Sequence, residues 1–418
     1  MNDFIRFARF SLTTALKGSA DYYKWIAFLL GLIFLGVIAY LRQAEHGLIA
    51  TAMTDQVSWG AYIANFTFGV GLAAAAVMLV IPAYVYENKP VKEVVFVGEL
   101  MAISAVLVCL LFVMVDLGRP DRFWHMLPVI GEFNFPISVL AWDVVVLQGY
   151  LFINLFITTY LLFNQFSHRK AREGVYVPVV FVSMVWAFSL HTVTAFLYVG
   201  LGGRPFWNAA ILAPRFLASA FVSGPAFIIL VLRAVKRYLD FDVKDGAFEF
   251  LGSLLAVTAP LNLFLLGCEA FTEFYPGTLH NAAAKYLFFG LHGHDMLVPF
   301  IWTAVALNCT ACGILIARRW LKQPYLLEVA CVMTIIGIWT EKGMGLIVPG
   351  FVPSPLGEIV EYSPSQVEFF VSAGVWSVGA LVLTVLLKIA VPIEKLHAAH
   401  RGERAPEAPS HGGSASDR

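Results

Sequence analysis

The stretch FVGELMAISAVLVCLLFVMV, residues 96–115, contains a single charged side chain, Glu99, in twenty consecutive residues. A helix of about 20 mainly apolar residues is long enough to cross the hydrocarbon core of a bilayer. The sequence therefore predicts an all-α integral membrane protein with ten transmembrane helices. The windows with this character are residues 24–41, 58–86, 96–115, 137–163, 175–200, 207–232, 248–270, 286–317, 324–340 and 366–390.

The composition of the whole chain agrees with this class. Of 418 residues, 59% are hydrophobic and 13% are charged, whereas soluble proteins carry about 25% charged residues. The net charge of zero gives none of the basic surplus expected of a protein that binds nucleic acid. All five cysteines lie in or beside apolar runs, so we interpret them as core residues. Cys309 and Cys312 form a CxxC pair without a second pair, and we predict no metal site.

Lysine and arginine are distributed unequally between the two faces that the ten windows define. The face that carries the N-terminus receives 21 of them and the opposite face receives 7. Because cytoplasmic loops carry the excess of positive charge, both termini are predicted to be cytoplasmic. We expect a multi-pass protein of the bacterial cytoplasmic membrane, without a cleaved signal peptide.

Ionisable residues concentrate towards the predicted outer face. The segment DLGRPDRFWHMLP, residues 116–128, carries Asp116, Arg119, Asp121, Arg122 and His125 directly after the third window. Further ionisable side chains fall in the outer halves of other windows, namely Asp143, His191, Arg215 and Glu269, and Glu273 follows one turn after Glu269. An ionisable residue within a span is costly, so it marks a functional site or has a specific partner. Only Glu99 and Glu328 lie clearly in the inner half.

Two chemistries would use such an outer cluster. Quinone redox chemistry needs an apolar slot, hydrogen-bond partners for the ring oxygens and a group that exchanges protons. A transporter also needs buried polar groups, and a third interpretation makes the chain only an anchor for partner proteins. Each group has a structural alternative as well. Arg119, Asp121 and His125 could be interfacial residues, and Asp143 or Glu269 could form an ion pair with Arg215 or a hydrogen-bonded helix contact. His191 could be a satisfied core histidine, and Glu99 and Glu328 could reach the cytoplasmic interface.

The sequence predicts that this chain itself binds neither haem nor an iron–sulfur cluster. Membrane haems are usually held by paired axial histidines, and only His191 lies convincingly within a span. The chain also has no cysteine cluster that would bind iron and sulfur. We therefore expect no haem or iron–sulfur cluster here, and electrons would have to come from another polypeptide.

Four motifs carry a resemblance to a known family. They are WGAYIANFTFGVGLAAAA at 59–76, DLGRP at 116–120, ILAPRFLASAFVSGPA at 211–226 and WTEKGMGLIVPGFVPSPLGEIVEY at 339–362. In this order and at these span ends they resemble the NrfD/PsrC family of quinone-interacting membrane subunits. The last motif and the ten spans are most similar to the DsrP branch, the membrane subunit of DsrMKJOP complexes, or to its close relatives in Hmc-type complexes. Some family members have eight spans.

The resemblance implies a domain plan with two four-helix bundles and two peripheral helices. Residues 1–23 would form a surface segment with a short helix, and 24–57 the first peripheral helix and its loop. The remaining divisions are 58–200 for the first bundle, 201–345 for the second bundle, 346–394 for an outer loop and the tenth helix, and 395–418 for a disordered cytoplasmic tail.

The resemblance also implies a quinone, menaquinone or ubiquinone, bound near the outer face. The expected partners are a periplasmic ferredoxin-like iron–sulfur protein (DsrO-like), a triheme cytochrome c (DsrJ-like), and DsrM-like and DsrK-like subunits. We assign catalysis to Asp116, Arg119, His125 and Asp143. Quinone contacts are assigned to Trp59, Tyr62, Asn65, Trp124 and Trp142. A proton path, if electron transfer is coupled to proton translocation, is assigned to Glu99, His191, Glu269 and Glu328.

Overall fold

Ten long apolar helices dominate the structure, a computed structural model that describes residues 2–126, 129–277, 281–321 and 325–403. Over these ranges the chain is helical and forms no β-strand, so the predicted all-α class with ten candidate membrane spans is confirmed. In chain order the spans are Ala20–His46, Ala61–Tyr84, Val95–Asp116, Val139–Phe166, Glu173–Val199, Leu212–Tyr238, Asp245–Phe274, Val298–Arg318, Leu326–Phe351 and Gln366–His397. We call the two faces outer and inner, as the charge distribution predicts them.

Local sequence sets several of the span ends. The fourth span begins where the Ser138 hydroxyl accepts a hydrogen bond from the backbone N–H of Ala141 at 3.4 Å, a typical N-cap. The first span ends at Gly47, whose φ of +76° suits a residue without a Cβ. The window that starts at 286 is interrupted as predicted: a short helix, Ala282–Phe288, and a loop precede the helix that begins at Val298.

Eight of the spans pack as two rings of four. In the second to fifth spans each helix contacts the next, and the fifth closes the ring on the second. The sixth to ninth spans form a second ring in the same way. The first and tenth spans pack against each other, and the tenth also packs on the third. Glycines allow this pairing, because a Cβ on Gly36 would lie 2.8 Å from the Cα of Gly374.

Small residues bring the two bundles together. The second span contacts the sixth along a strip in which Gly71 lies beside Ala220 and Ser223, while Gly224 lies against Ala75. Such strips let membrane helices approach closely enough for backbone contact. Above the strip, the indoles of Trp59 and Trp207 lie 5.6 Å apart. The centre of the molecule is therefore the contact between the second and sixth spans.

Replacing Gly224 by alanine should weaken this contact. The new Cβ would lie 2.1 Å from the Cβ of Ala75 and 3.0 Å from its Cα, so a helix backbone must move. We expect a loss of about 1–3 kcal/mol, the usual cost of overpacking, seen as a lower unfolding temperature of the purified protein. Gly267→Ala in the seventh span is the matched control, because nothing lies within 4 Å of its added Cβ. Equal behaviour of the two variants would contradict the close packing.

The ninth span is longer than the sequence predicts. The window ends at residue 340, but a π-helical turn at Thr340–Met344 carries the helix on to Phe351. Gly343 in this turn lies close to the second span, with its Cβ position 3.3 Å from the carbonyl oxygen of Ala64. Glu341 and Lys342, which directly follow the predicted window, are therefore inside the protein, 4% and 3% exposed.

The N-terminal end of the chain is helical as predicted, and the C-terminal end is more helical than predicted. The predicted N-terminal helix is present as Asn2–Leu16, and its Phe7 ring packs on Phe163 of the fourth span at 5.7 Å. The last helix runs from Gln366 to Glu403. Residues 395–403, predicted to begin a disordered tail, thus continue the helix because apolar and helix-favouring residues extend past 390. The rest of the predicted tail, 404–418, lies outside the described residues.

Candidate functional site

A buried polar group occupies the outer half of the first bundle. The Thr194 hydroxyl donates to the Asp143 carboxylate at 2.6 Å, and the hydroxyls of Tyr198 and Thr67 lie 2.5 Å apart. Together with His191 these residues form what we call the first-bundle cluster, and each is at most 4% exposed. Asp143 is four residues into its helix, about 6 Å from the helix start. Asp143 lies six residues into the predicted window at 137–163, so it is less deep than predicted because the helix begins at Val139.

One ring nitrogen of His191 makes no hydrogen bond to the described residues. Its Nδ1 lies 3.3 Å from the carbonyl oxygen of Ala187 one turn earlier, while its Nε2 is buried without a hydrogen-bond partner among the described residues. The side chain lines a small cavity at the contact between the two bundles, with Lys342 on the opposite bundle. The histidine is thus placed to exchange a hydrogen bond with whatever occupies that cavity.

The second bundle contains a buried network of charges. The Arg215 guanidinium forms ion pairs with Glu269 and with Glu341, and the Asn308 side-chain amide donates to Glu341 at 3.1 Å. The Lys342 ammonium lies 4.8 Å from the centre of the Phe216 ring. With two cations and two carboxylates, this second-bundle cluster is balanced in charge. Of the alternatives for Arg215, the pair with Glu269 is confirmed, and Asp143 binds Thr194 instead.

A third polar group lies at the outer end of the third span. The Tyr62 hydroxyl donates to the side-chain oxygen of Gln43 at 2.6 Å, and the Gln43 amide donates to the carbonyl oxygen of Val115 at 2.6 Å. Beside them, Oδ1 of Asp116 is buried without a hydrogen-bond partner in the described part of the chain. A buried acceptor of this kind is costly unless a water or a ligand donates to it.

Glu368 completes this outer-end group from the tenth span. It is fully buried and accepts hydrogen bonds from the backbone N–H of Ala52 at 2.9 Å and of Ser365 at 2.9 Å. It also accepts the Tyr362 hydroxyl. Burial, and then the negative charge of Glu368, raise the pKa of Tyr362, so this phenol keeps its proton and remains a donor.

Four of the predicted site residues lie apart from the buried clusters. Arg119 and Asp121 form a two-point ion pair at 2.9 and 3.0 Å in an exposed turn, and the hydrogen bond from Arg119 lowers the pKa of Asp121. His125 stacks on Trp124 at 3.8 Å in the same exposed turn, which ends next to Leu127 and Pro128, outside the described residues. Trp142 is 40% exposed and donates to the carbonyl oxygen of Pro136 at 2.8 Å.

Asn65 and Trp59 have structural partners. The Asn65 side-chain oxygen accepts hydrogen bonds from the indoles of Trp339 at 2.9 Å and Trp376 at 3.0 Å, which ties the second span to the ninth and tenth. The Trp59 ring packs edge-on against Tyr198 at 5.8 Å and near Trp207. Trp59 therefore packs beside the first-bundle cluster. The Asn65 side-chain oxygen already has two hydrogen-bond donors within the protein.

The two inner carboxylates differ in their surroundings. Glu328 forms an ion pair with Arg233 in which Oε1 and Nε are 2.5 Å apart. Glu99 is 2% exposed, and its Oε1 has no hydrogen-bond partner among the described residues. Oε2 of Glu328 is likewise buried without a hydrogen-bond partner among the described residues, so the two differ in the ion pair, which Glu328 forms and Glu99 does not.

Several members of the clusters were not predicted from the sequence. Thr67, Tyr198 and Asn308 are uncharged residues within apolar windows, and nothing in their spacing distinguishes them from ordinary packing residues. Glu368 stands in the first turn of its helix, where an acidic residue is usually explained by the helix dipole. The usable signal was the pair Glu341–Lys342 within a Gly-rich motif, which would have been placed inside the span by extending the window to Phe351.

Metal ligation finds no support in the described ranges, where no three side chains of His, Cys, Asp or Glu come together as a ligand set. Of the cysteines interpreted as core residues, Cys109, Cys312 and Cys331 are buried. Cys268 is half-buried and Cys309 is exposed on its helix, so the core interpretation is wrong for Cys309. The cysteine pair of the CxxC therefore points in two directions.

Comparison with known proteins shows which family this chain is similar to. The family model described as polysulphide reductase, NrfD, matches residues 50–351. A Halobacterium salinarum protein named as a candidate membrane subunit of dimethyl sulfoxide reductase is 25% identical, over 89% of this chain and 91% of its own. A selenate reductase subunit of Mesobacillus selenatarsenatis is 23% identical, over 89% of this chain and 95% of its own.

A third relative comes from Archaeoglobus fulgidus. The Hdr-like menaquinol oxidoreductase integral membrane subunit of this organism is 24% identical, over 89% of this chain and 93% of its own. The family model spans both four-helix bundles up to the end of the ninth span. With its ten apolar helices and this match over most of its length, the chain is a multi-pass membrane protein that belongs to the NrfD family.

Proposed function

We propose that this chain is the quinone-reactive membrane subunit of a respiratory or sulfur-metabolism redox complex. The observation that carries the proposal is Asp143, a carboxylate buried one turn from the outer end of the first bundle and held by Thr194. Buried carboxylates inside a membrane bundle are uncommon and usually functional. Thr194 fixes one oxygen of Asp143, and the other oxygen is the atom that takes up or gives a proton.

The surroundings suit a quinone head group. Oδ1 of Asp116 lacks a donor among the described residues, which fits a ligand hydroxyl, and Tyr198 belongs to the same first-bundle cluster as Asp143. The second and third spans also carry fully buried apolar side chains such as Phe66 and Phe112. A quinol would supply electrons and protons together when it is oxidised. Asp116 and Tyr198 would hold it, while Asp143 exchanges the proton.

We infer the type of quinone and the partner proteins from the relatives of this chain. The name of the Archaeoglobus relative contains menaquinol, which favours menaquinone over ubiquinone. The other two relatives are named as subunits, so we place this chain in a complex with an iron–sulfur protein on the outer loops. The exposed turn with Arg119, Trp124 and His125 is the proposed docking surface. A DsrP-like setting would add the triheme cytochrome and the DsrM-like and DsrK-like subunits, in a bacterial cytoplasmic membrane with both termini in the cytoplasm.

The functional test is made on the complex. Purified complex should retain a quinone in its lipid extract and oxidise quinol, and the chain alone should be inactive without its iron–sulfur partner. A solute or proton transporter would instead work alone in liposomes. A mere anchor would let quinone-site inhibitors leave electron transfer through the whole complex unchanged. Either result, or an extract without quinone, would count against the proposal.

Coupling to proton translocation would begin at Glu99. This carboxylate is buried towards the inner face, with one oxygen unsatisfied among the described residues, so it can exchange protons between that side and Asp143. In proteoliposomes carrying the complex, Glu99→Gln should keep its quinone but move fewer protons per electron. Glu328→Gln, which removes an ion pair with Arg233, is the comparison. An unchanged ratio in both variants would rule out an inner route.

A further inference from the structure

Lys342 lies between two separate cavities. The first cavity, at the contact between the bundles, is lined by Thr67, Phe68, Gly71, His191, Phe216, Ser219, Ser223, Ile338 and Lys342. The second cavity lies within the second bundle, and its polar lining consists of Arg215, Glu269, Glu273, Glu341 and Lys342. Lys342 is the residue with a long flexible ammonium side chain that borders both, and it is 3% exposed.

Polar atoms without partners face these cavities. In the described part of the chain, Lys342 Nζ, His191 Nε2 and Glu269 Oε1 are all buried and make no hydrogen bond. The serine hydroxyls in the first cavity donate to their own helix, Ser219 to Phe216 at 2.9 Å and Ser223 to Ser219 at 2.9 Å. Their oxygens therefore remain free to accept. Buried groups of this kind are normally satisfied by ordered water.

We propose that Lys342 joins the two cavities into one hydrated path for protons. The path runs from His191 in the first-bundle cluster, past Lys342, to Glu269 and then Glu273. Glu273 is partly exposed near the outer end of the seventh span. This inference rests on the proposed quinone chemistry at Asp143, because that chemistry supplies the protons.

The proton balance of the path is simple. The Lys342 ammonium gives one proton to a water on the side of Glu269 and takes another from a water held by His191 Nε2. The net charge of the second-bundle cluster is unchanged after each passage. Arg215 does not lose its proton in proteins, so it acts as a fixed charge that holds Glu269 and Glu341 in place.

Lys342→Arg separates proton transfer from structure. Arginine keeps the positive charge that balances the carboxylates but cannot give up a proton. In proteoliposomes that carry the whole complex, we expect this variant to fold and keep its quinone. Protons that cannot pass Lys342 then leave by another route, so fewer protons per electron appear at the outer side. Lys342→Met should have the same effect on the ratio. Lys388→Arg, at a lysine stacked on Tyr22 at 4.5 Å, is the control and should behave as the unaltered complex.

Two outcomes would overturn the inference. One is a Lys342→Arg complex whose proton ratio equals that of the unaltered complex. The other is a density map of the unaltered complex, detailed enough to show waters, with none within hydrogen-bond distance of Lys342 Nζ or His191 Nε2. Failure of the proposed function would look different, because quinone and quinol oxidation would then be missing from the unaltered complex itself.

Discussion

Asp143→Asn should lower quinol oxidation by the intact complex by roughly 10²–10⁴-fold, the range expected when a positioned acid–base group is lost. Asparagine has the same shape and can still accept the Thr194 hydrogen bond, which is 2.6 Å long in this structure. What it cannot do is bind and release a proton at the pH of the cell. The measurement is the steady-state rate with a soluble quinol, corrected for the amount of assembled complex.

Two further variants make this result specific. Thr194→Val removes the hydroxyl that fixes Asp143 and should cause a smaller loss of rate. Asp242→Asn, at an exposed position on the inner side, should leave the rate unchanged. If Asp143→Asn oxidises quinol as fast as Asp242→Asn, then Asp143 has no part in the chemistry.

Arg215→Met should destabilise the protein by about 3–5 kcal/mol, the cost of breaking a buried ion pair from one side. Glu269 and Glu341 would lose the guanidinium that pairs with both of them. The single ammonium group of Lys342 cannot form both ion pairs in its place. We expect a sharply lower yield and unfolding temperature of the purified protein.

A double-mutant cycle of Arg215 and Glu269 tests whether the unpaired buried charge causes this loss of stability. Arg215→Met together with Glu269→Gln removes one charge of each sign and should recover part of the lost stability. The effects of substitutions on the free energy of unfolding are not additive when the two residues interact. Arg233→Met is the comparison at a half-exposed pair, since both Arg233 and Glu328 are partly exposed. It should cost much less. A similar loss for Arg215→Met and Arg233→Met would mean that the second-bundle cluster is not held by its buried charges.

The spans could be predicted from the sequence because an apolar run of twenty residues is long enough to cross a bilayer and is rare elsewhere. Glu99, Asp143, His191 and Glu269 could also be predicted, since an ionisable residue is conspicuous in an apolar window. Arg119 and His125 are assigned to the site of Asp143 because they belong to the ionisable cluster predicted at the outer face, and Arg119 also lies in the DLGRP motif that carries the family resemblance. In the structure they lie in an exposed turn, where Arg119 pairs with Asp121 two residues away.

Partners that are distant in the chain could not be predicted in this way. Asn65 receives indole hydrogen bonds from residues 274 and 311 positions away, and no local pattern indicates them. The depth of Lys342 depends on the π-helical turn at Thr340–Met344, which adds a residue to the helix without a sequence signature. Hydropathy gives the number of helices, whereas the pairing of their side chains is a property of the folded bundle.

The central claim is that quinone binds in the outer half of the first bundle, at Asp143 and Asp116. A density map of the intact complex prepared with its quinone tests it most directly. We predict head-group density within hydrogen-bond distance of an oxygen of Asp143 or Asp116, with Tyr198 beside it. A head group bound in the second bundle or on another polypeptide, with the first-bundle cluster filled only by protein and water, would contradict the account.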